Sequence, residues 1–267
     1  LLRSLPPSHG SIYWSPDQQL VAVCPDDAAG KIRILDATDF TERALYHAQD
    51  DELIVDLTWS RDGTKLAIQK SRSTLNVVDL WDVVKERLIS SWLYRGPYWY
   101  GDASRPNDMA WSPDGAHIAV AAKGNNFDEA TLNNHGHVHV VNVQTGQTVL
   151  KKNLSGGPVV ACIAWRPDGR AIAAGAEDGS VKVLALDAER NIFTWQLDNS
   201  AIAALAWSPD GHRLVSADHK GVIRVHEALF GRNLLSLQVD GLPQHVLLGP
   251  EGKRLAVATA TGQIHIW

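Results

Sequence analysis

Ala206-Trp207-Ser208-Pro209-Asp210-Gly211, followed by Arg213-Leu214-Val215-Ser216, is the stretch that decides the fold. An apolar run ends at Trp207, a tight turn reverses the chain, and a second short apolar run leaves it. Proline presets φ at the second turn position. Ser or Asp can bond the turn backbone, and Gly accepts the left-handed conformation at the exit. The unit recurs at Trp14-Ser15-Pro16-Asp17, Trp59-Ser60-Arg61-Asp62-Gly63, Trp111-Ser112-Pro113-Asp114-Gly115 and Trp165-Arg166-Pro167-Asp168-Gly169. A worn sixth copy reads Leu248-Gly249-Pro250-Glu251-Gly252. One copy would be an ordinary hairpin; six are an architecture.

The copies are spaced by 45, 52, 54, 42 and 41 residues. A period of roughly 40–45 residues with about four strands per unit is the signature of propeller blades. The chain is therefore expected to be all-β, one domain over 1–267, with six blades. Residues 1–5 read as a lone strand. The last unit supplies only three strands, at 245–248, 254–258 and 263–267. The N-terminal strand is expected to complete that last blade and close the ring, which removes the edge an open ring would expose.

These features resemble the WD40-repeat β-propeller family along the whole chain. The resemblance rests on the Ser-Pro-Asp-Gly turns and on a second turn in Asp178-Gly179-Ser180-Val181-Lys182-Val183 and Lys220-Gly221-Val222-Ile223-Arg224-Val225. The terminal Ile264-His265-Ile266-Trp267 adds to it. The Trp-Asp dipeptide survives only as Trp81-Asp82, and a Gly-His dipeptide is essentially absent from the place it holds in the family's repeat. The resemblance therefore implies that the family's His, Asp, Ser/Thr and Trp network is incomplete here and that blades pack mainly through apolar contacts. It also implies a non-catalytic binding platform: a protein- or peptide-interaction scaffold or sensor domain.

Composition agrees with a packed, water-exposed domain. Apolar residues make up 45% of the chain, and no run approaches the roughly 18 residues of a membrane span. No basic region followed by an apolar one marks a secretory signal. Leu1 is not a start methionine, so the chain reads as a module of a longer protein with flanking domains. Cys24 and Cys162 fall in blades one and four, too far apart to bridge. Both read as buried thiols, as in a reducing compartment, and a cytoplasmic location is expected. The net charge of −5 argues against nucleic acid, whose binding depends on neutralising phosphates. Arg95, Arg105, Lys151 and Lys152 form the one basic alternative, and the acidic loops disfavour it.

Blades two and three carry insertions at 93–106 and 123–136. The family's geometry implies that both rise from one face. The first holds Tyr94, Arg95, Tyr98, Trp99, Tyr100, Asp102 and Arg105, and aromatic and Arg side chains carry interface energy. It either forms a recognition surface or folds back to plug the channel. Phe127, Asp128 and Glu129 lie in the second insertion. Asp50, Asp51 and Glu52, with Asp102, Asp128, Glu129, Glu177, Asp178, Asp198 and Asp240, give this face acidic loops. Those loops suit a basic partner, although Asp is also a turn former.

The partner-binding set is thus Tyr94, Arg95, Tyr98, Trp99, Tyr100, Asp102, Arg105, Phe127, Asp128, Glu129, Asp50 and Asp51. His135, His137 and His139 alternate along one strand face and read as a ladder rather than a metal site. No Gly-x-Ser-x-Gly elbow, phosphate-cradling loop or His-Glu-x-x-His occurs. No enzyme activity, metal or cofactor is expected. The alternative reading is a small-ligand or metal-dependent site at the mouth of the central channel. The inner strands begin mostly with apolar residues, which counts against it.

Overall fold

The computed structural model describes residues 10–25, 30–49, 52–72, 75–95, 108–125, 134–153, 159–187 and 191–267. Sheet 1 contains β1 (Gly10–Trp14), β2 (Leu20–Pro25), β3 (Lys31–Asp36) and β4 (Glu42–His47). Sheet 2 contains β5 (Leu53–Trp59), β6 (Lys65–Arg72), β7 (Leu75–Asp82) and β8 (Arg87–Arg95). In sheet 3 are β9 (Met109–Trp111), β10 (His117–Asn125), β11 (Asn134–Asn142) and β12 (Thr148–Asn153). Sheet 4 runs through β13 (Val160–Trp165), β14 (Ala171–Ala176), β15 (Ser180–Ala185) and β16 (Asn191–Gln196). Sheet 5 comprises β17 (Ile202–Trp207), β18 (Arg213–Asp218), β19 (Val222–Glu227) and β20 (Asn233–Gln238). Sheet 6 has β21 (Pro243–Leu248), β22 (Leu255–Thr259) and β23 (Ile264–Ile266). Within each sheet the strands pair antiparallel in chain order, and the first strands of successive sheets stand side by side.

Each Ser-Pro-Asp-Gly copy forms the turn between a sheet's first and second strands. Ser208 Oγ donates to Asp210 Oδ1, the Arg213 N–H donates to Ser208 Oγ, and the His212 N–H donates to Asp210 Oδ1. The same arrangement recurs at Ser60–Asp62 and Ser112–Asp114. Gly211 sits at φ +69°, as the turn demands. The first copy has no glycine at this position, and Gln18 is held at φ 60° instead.

The repeated Trp fixes one sheet to the next. Trp59 Nε1 donates to Tyr13 O at 3.0 Å, Trp111 to Thr58 O at 3.2 Å, Trp165 to Ala110 O at 2.9 Å and Trp207 to Ala164 O at 3.0 Å. Five apolar clusters fill the five junctions from sheet 1 to sheet 6, centred on residues such as Leu66, Ile118, Ile172, Leu214 and Val257. Among the described residues no such cluster joins sheet 6 to sheet 1. Trp14 is 55% exposed, and Ile264 and Ile266 stand exposed on β23. The expected closing strand, residues 1–5, lies outside the described residues.

Three sequence expectations change in detail. Lys123–Asn125 and Asn134–Gly136 are not loop; they pair and lengthen the β10–β11 hairpin. Leu93–Arg95 likewise belong to β8. Cys24 is half-buried rather than buried, whereas Cys162 is buried.

Candidate functional site

Strand register fixes which end of the sheets carries the insertions. Leu53 pairs with Ser71, Arg72 with Leu75, and Leu75 with Arg95, so β8 finishes at the end where β5 begins. In sheet 3, Val120 pairs with Met109 while β10 continues to Asn125. That hairpin therefore extends past the start of β9. Tyr94 and Arg95 close β8 at this end. Tyr98, Trp99, Tyr100, Asp102, Arg105, Phe127, Asp128, Glu129, Asp50 and Asp51 lie outside the described residues.

At the same end the first strands bound a cavity of about 310 Å³, lined by Asp56, Asp108, Cys162, Gln244 and His245 among others. Asp56 is set within the apolar run of β5, and Asp108 immediately precedes Met109. Tyr13 OH donates to Asp56 Oδ1 at 3.3 Å, linking sheets 1 and 2. The Ile163 N–H donates to Asp108 Oδ2 at 2.8 Å, linking sheets 3 and 4. Burial, and then repulsion from Asp108, push Asp56 up to about 7, despite donation from the Leu57 N–H and Tyr13. Burial pushes Asp108 up to about 6 against the pull of the Ile163 and Met109 N–H groups. Two inner-wall carboxylates thus stand where the sequence suggested a mostly apolar rim. Their signal was an Asp inside Leu53-Ile54-Val55-Asp56-Leu57, where an apolar strand has no need of one.

The acidic loops do not all face a partner. Glu52 is turned inward: its Oε2 accepts from Lys70 Nζ at 2.6 Å and from the Gln49 N–H at 3.0 Å. Lys70 Nζ also lies 2.7 Å from Asp79 Oδ2, and all three side chains are buried. Tyr46 OH and Ser91 Oγ donate to Asp79. Burial opposes the Lys70 charge, but its bonds to Asp79 and Glu52 outweigh this and hold its pKa above the usual value. Asp198 is paired with Arg224, which also binds Asp218. Asp178 accepts the Ser180 N–H within its own turn.

Sheet packing is accordingly not left to apolar contacts alone. Sheet 2 carries the buried Glu52–Lys70–Asp79 group. In sheet 5 Ser216 Oγ meets His226 Nε2 at 3.2 Å, and Trp195 of sheet 4 stacks on His226 at 5.4 Å. Polar and aromatic contacts therefore add to the apolar clusters within sheet 2 and at the junction of sheets 4 and 5.

His137 is buried and its ring lies 4.7 Å from that of His139. Burial, then His137 and Lys151, lower His139 to about 4. Among the described residues no group of three His, Cys, Asp or Glu side chains is placed to hold a metal ion. Nor is any helix there long and apolar enough to cross a membrane.

The sheet order, the Trp clasps and the turn ladder give the chain a β-propeller fold of the WD40 type. A family model described as the IFT140 first beta-propeller matches residues 101–228. A chain of the "Crystal Structure of Mitotic Checkpoint Complex" superposes with a TM-score of 0.75 at 18% identity, covering 96% of this chain and 72% of that one.

Proposed function

We propose that this chain is a non-catalytic scaffold that binds a protein or peptide at the end of the ring carrying the 93–106 and 123–136 segments. The observation that carries this reading is the pair Asp56 and Asp108, set in a channel-wall cavity at the end where β8 finishes and the β10–β11 hairpin projects. A basic side chain entering there meets two carboxylates, and Tyr98, Trp99, Tyr100 and Arg105 are residue types that would add contact area to such an interface. Complementarity of this kind selects partners and speeds encounter. A propeller of the same fold within a mitotic checkpoint complex supports an assembly role. The expected setting is cytoplasmic.

The test is capture from source-cell lysate with three proteins: wild type, Tyr98→Ser/Trp99→Ser, and Asp56→Asn/Asp108→Asn. A partner captured by wild type and lost from both variants supports the reading. Equal capture by all three overturns it. The alternative, a small ligand in the channel mouth, draws on the same carboxylates. It would show as compound binding that survives Tyr98→Ser/Trp99→Ser and fails in the Asn variant.

A further inference from the structure

Equivalent positions at successive sheet junctions can be matched by counting back from the bulge on each third strand. That bulge falls at Ile34/Leu35, Leu80/Trp81, Val140/Val141 and Val183/Leu184 in sheets 1 to 4. Two residues before it, Ile32, Val78 and Val181 pair with Tyr46, Trp92 and Trp195 on the outer strand. One residue before it stand Asp79 in sheet 2 and His139 in sheet 3.

At the junction of sheets 1 and 2 these positions meet directly, with Tyr46 OH donating to Asp79 Oδ2 at 2.6 Å. At the junction of sheets 4 and 5, Trp195 is covered by the ring of His226, which follows the bulge of its strand rather than preceding it. Between sheets 2 and 3 the matching pair is Trp92 and His139, and there a cavity of about 240 Å³ lies beside the apolar cluster that joins the sheets. Ser91, Ile118, Val141 and Thr148 also line it. Trp92 Nε1 is buried with no acceptor among the described residues. Gly146 lines the same cavity, and a Cβ there would sit 2.8 Å from that nitrogen. The glycine thus keeps the space beside the indole N–H open.

We propose that this cavity is a binding site for a small uncharged molecule, one ring in size, carrying a hydrogen-bond-accepting oxygen that meets the Trp92 N–H. Size fits: an apolar cavity of roughly 150 Å³ admits benzene, and this one is larger. Polarity fits too, since the walls are aliphatic and indole with two hydroxyls and an imidazole. His139 is neutral near pH 7, its protonation suppressed first by burial, so no wall group carries a charge to attract an ion. A buried donor without an acceptor is an unfavourable arrangement that a ligand oxygen relieves.

The test is a titration of the folded chain with cyclohexanone, reading the indole N–H signals by ¹H–¹⁵N correlation and assigning Trp92 with Trp92→Phe. A saturable shift confined to the Trp92 signal is expected, with none from acetate or tetramethylammonium. Ligand-observed saturation transfer should show about ten-fold weaker binding to Trp92→Phe, the equivalent of one hydrogen bond. Val141→Phe keeps the indole but fills the cavity, and should abolish the shift. It decides the matter if Trp92→Phe does not fold. The proposal is overturned if Trp92 shows no saturable shift, or if Val141→Phe shifts equally. A water contact to the indole that persists throughout the titration overturns it as well, because the cavity then holds solvent only.

Discussion

The indole N–H of Trp207 donates to the main-chain oxygen of Ala164 at 3.0 Å, so a side chain of one repeat satisfies the backbone of the repeat before it. The same bond joins Trp59 to Tyr13, Trp111 to Thr58 and Trp165 to Ala110. In Trp207→Phe most of the apolar contact remains and the donor is lost. Chemical denaturation should report a loss of about 1–2 kcal/mol, the range for a net hydrogen bond plus a small packing defect. A value near zero would mean that the bond does not tie the sheets.

Lys70 bridges Glu52 and Asp79 inside sheet 2. Lys70→Met removes the only cation of that group and leaves two buried carboxylates facing each other. The expected cost is about 3–5 kcal/mol. Adding Glu52→Gln and Asp79→Asn to Lys70→Met should recover much of it, and thermal melts of the two variants check the order.

Gln18 occupies the turn position that glycine fills in the five other copies, at φ 60°. Left-handed backbone costs a residue with a Cβ roughly 1 kcal/mol or more. Gln18→Gly should therefore stabilise the chain by about 0.5–1 kcal/mol after the added chain entropy is offset. A lower melting temperature would contradict this account of the turn.

Asp56 and His139 impose opposite pH dependences. The folded-state pKa of Asp56 is raised to about 7, so the penalty of burying its charge is absent below about 4 and complete above about 7. Stability from this group falls as pH rises through that window, because the folded state holds the proton longer. His139 is lowered to about 4, so its contribution is intact above about 6.5 and is lost as pH falls through 4. Asp56→Asn should flatten the decline between pH 5 and 7 in melts run across that range. His139→Gln should leave that decline in place and relieve the acid-side loss.

The exposed Trp14 and β23 mark the junction at which residues 1–5 are expected to close the ring. Deleting 1–5 should lower the melting temperature, since an unpaired edge and an uncovered apolar rim remain. An unchanged melt would show that closure is made by some other segment.

The repeat, the turns and the position of each strand were legible in the sequence, because a Ser-Pro-Asp-Gly turn and alternating apolar runs are local preferences of the backbone. Even the worn copy at Leu248 forms its turn, with the Gly252 N–H donating to Gly249 O. What the tertiary structure decided depends on which residues of different repeats meet. Glu52 read as a loop acid and turned inward to Lys70, eighteen positions away. Asp56 and Asp108 belong to different sheets yet border one cavity, where burial raises both and repulsion from Asp108 raises Asp56 further. Nothing local to β8 distinguishes Trp92, and only its place beside His139 and Gly146 shows the cavity it borders. Local chemistry repeats along the chain and can be read from it; burial and charge pairing are properties of the assembled sheets, and no window of sequence contains them.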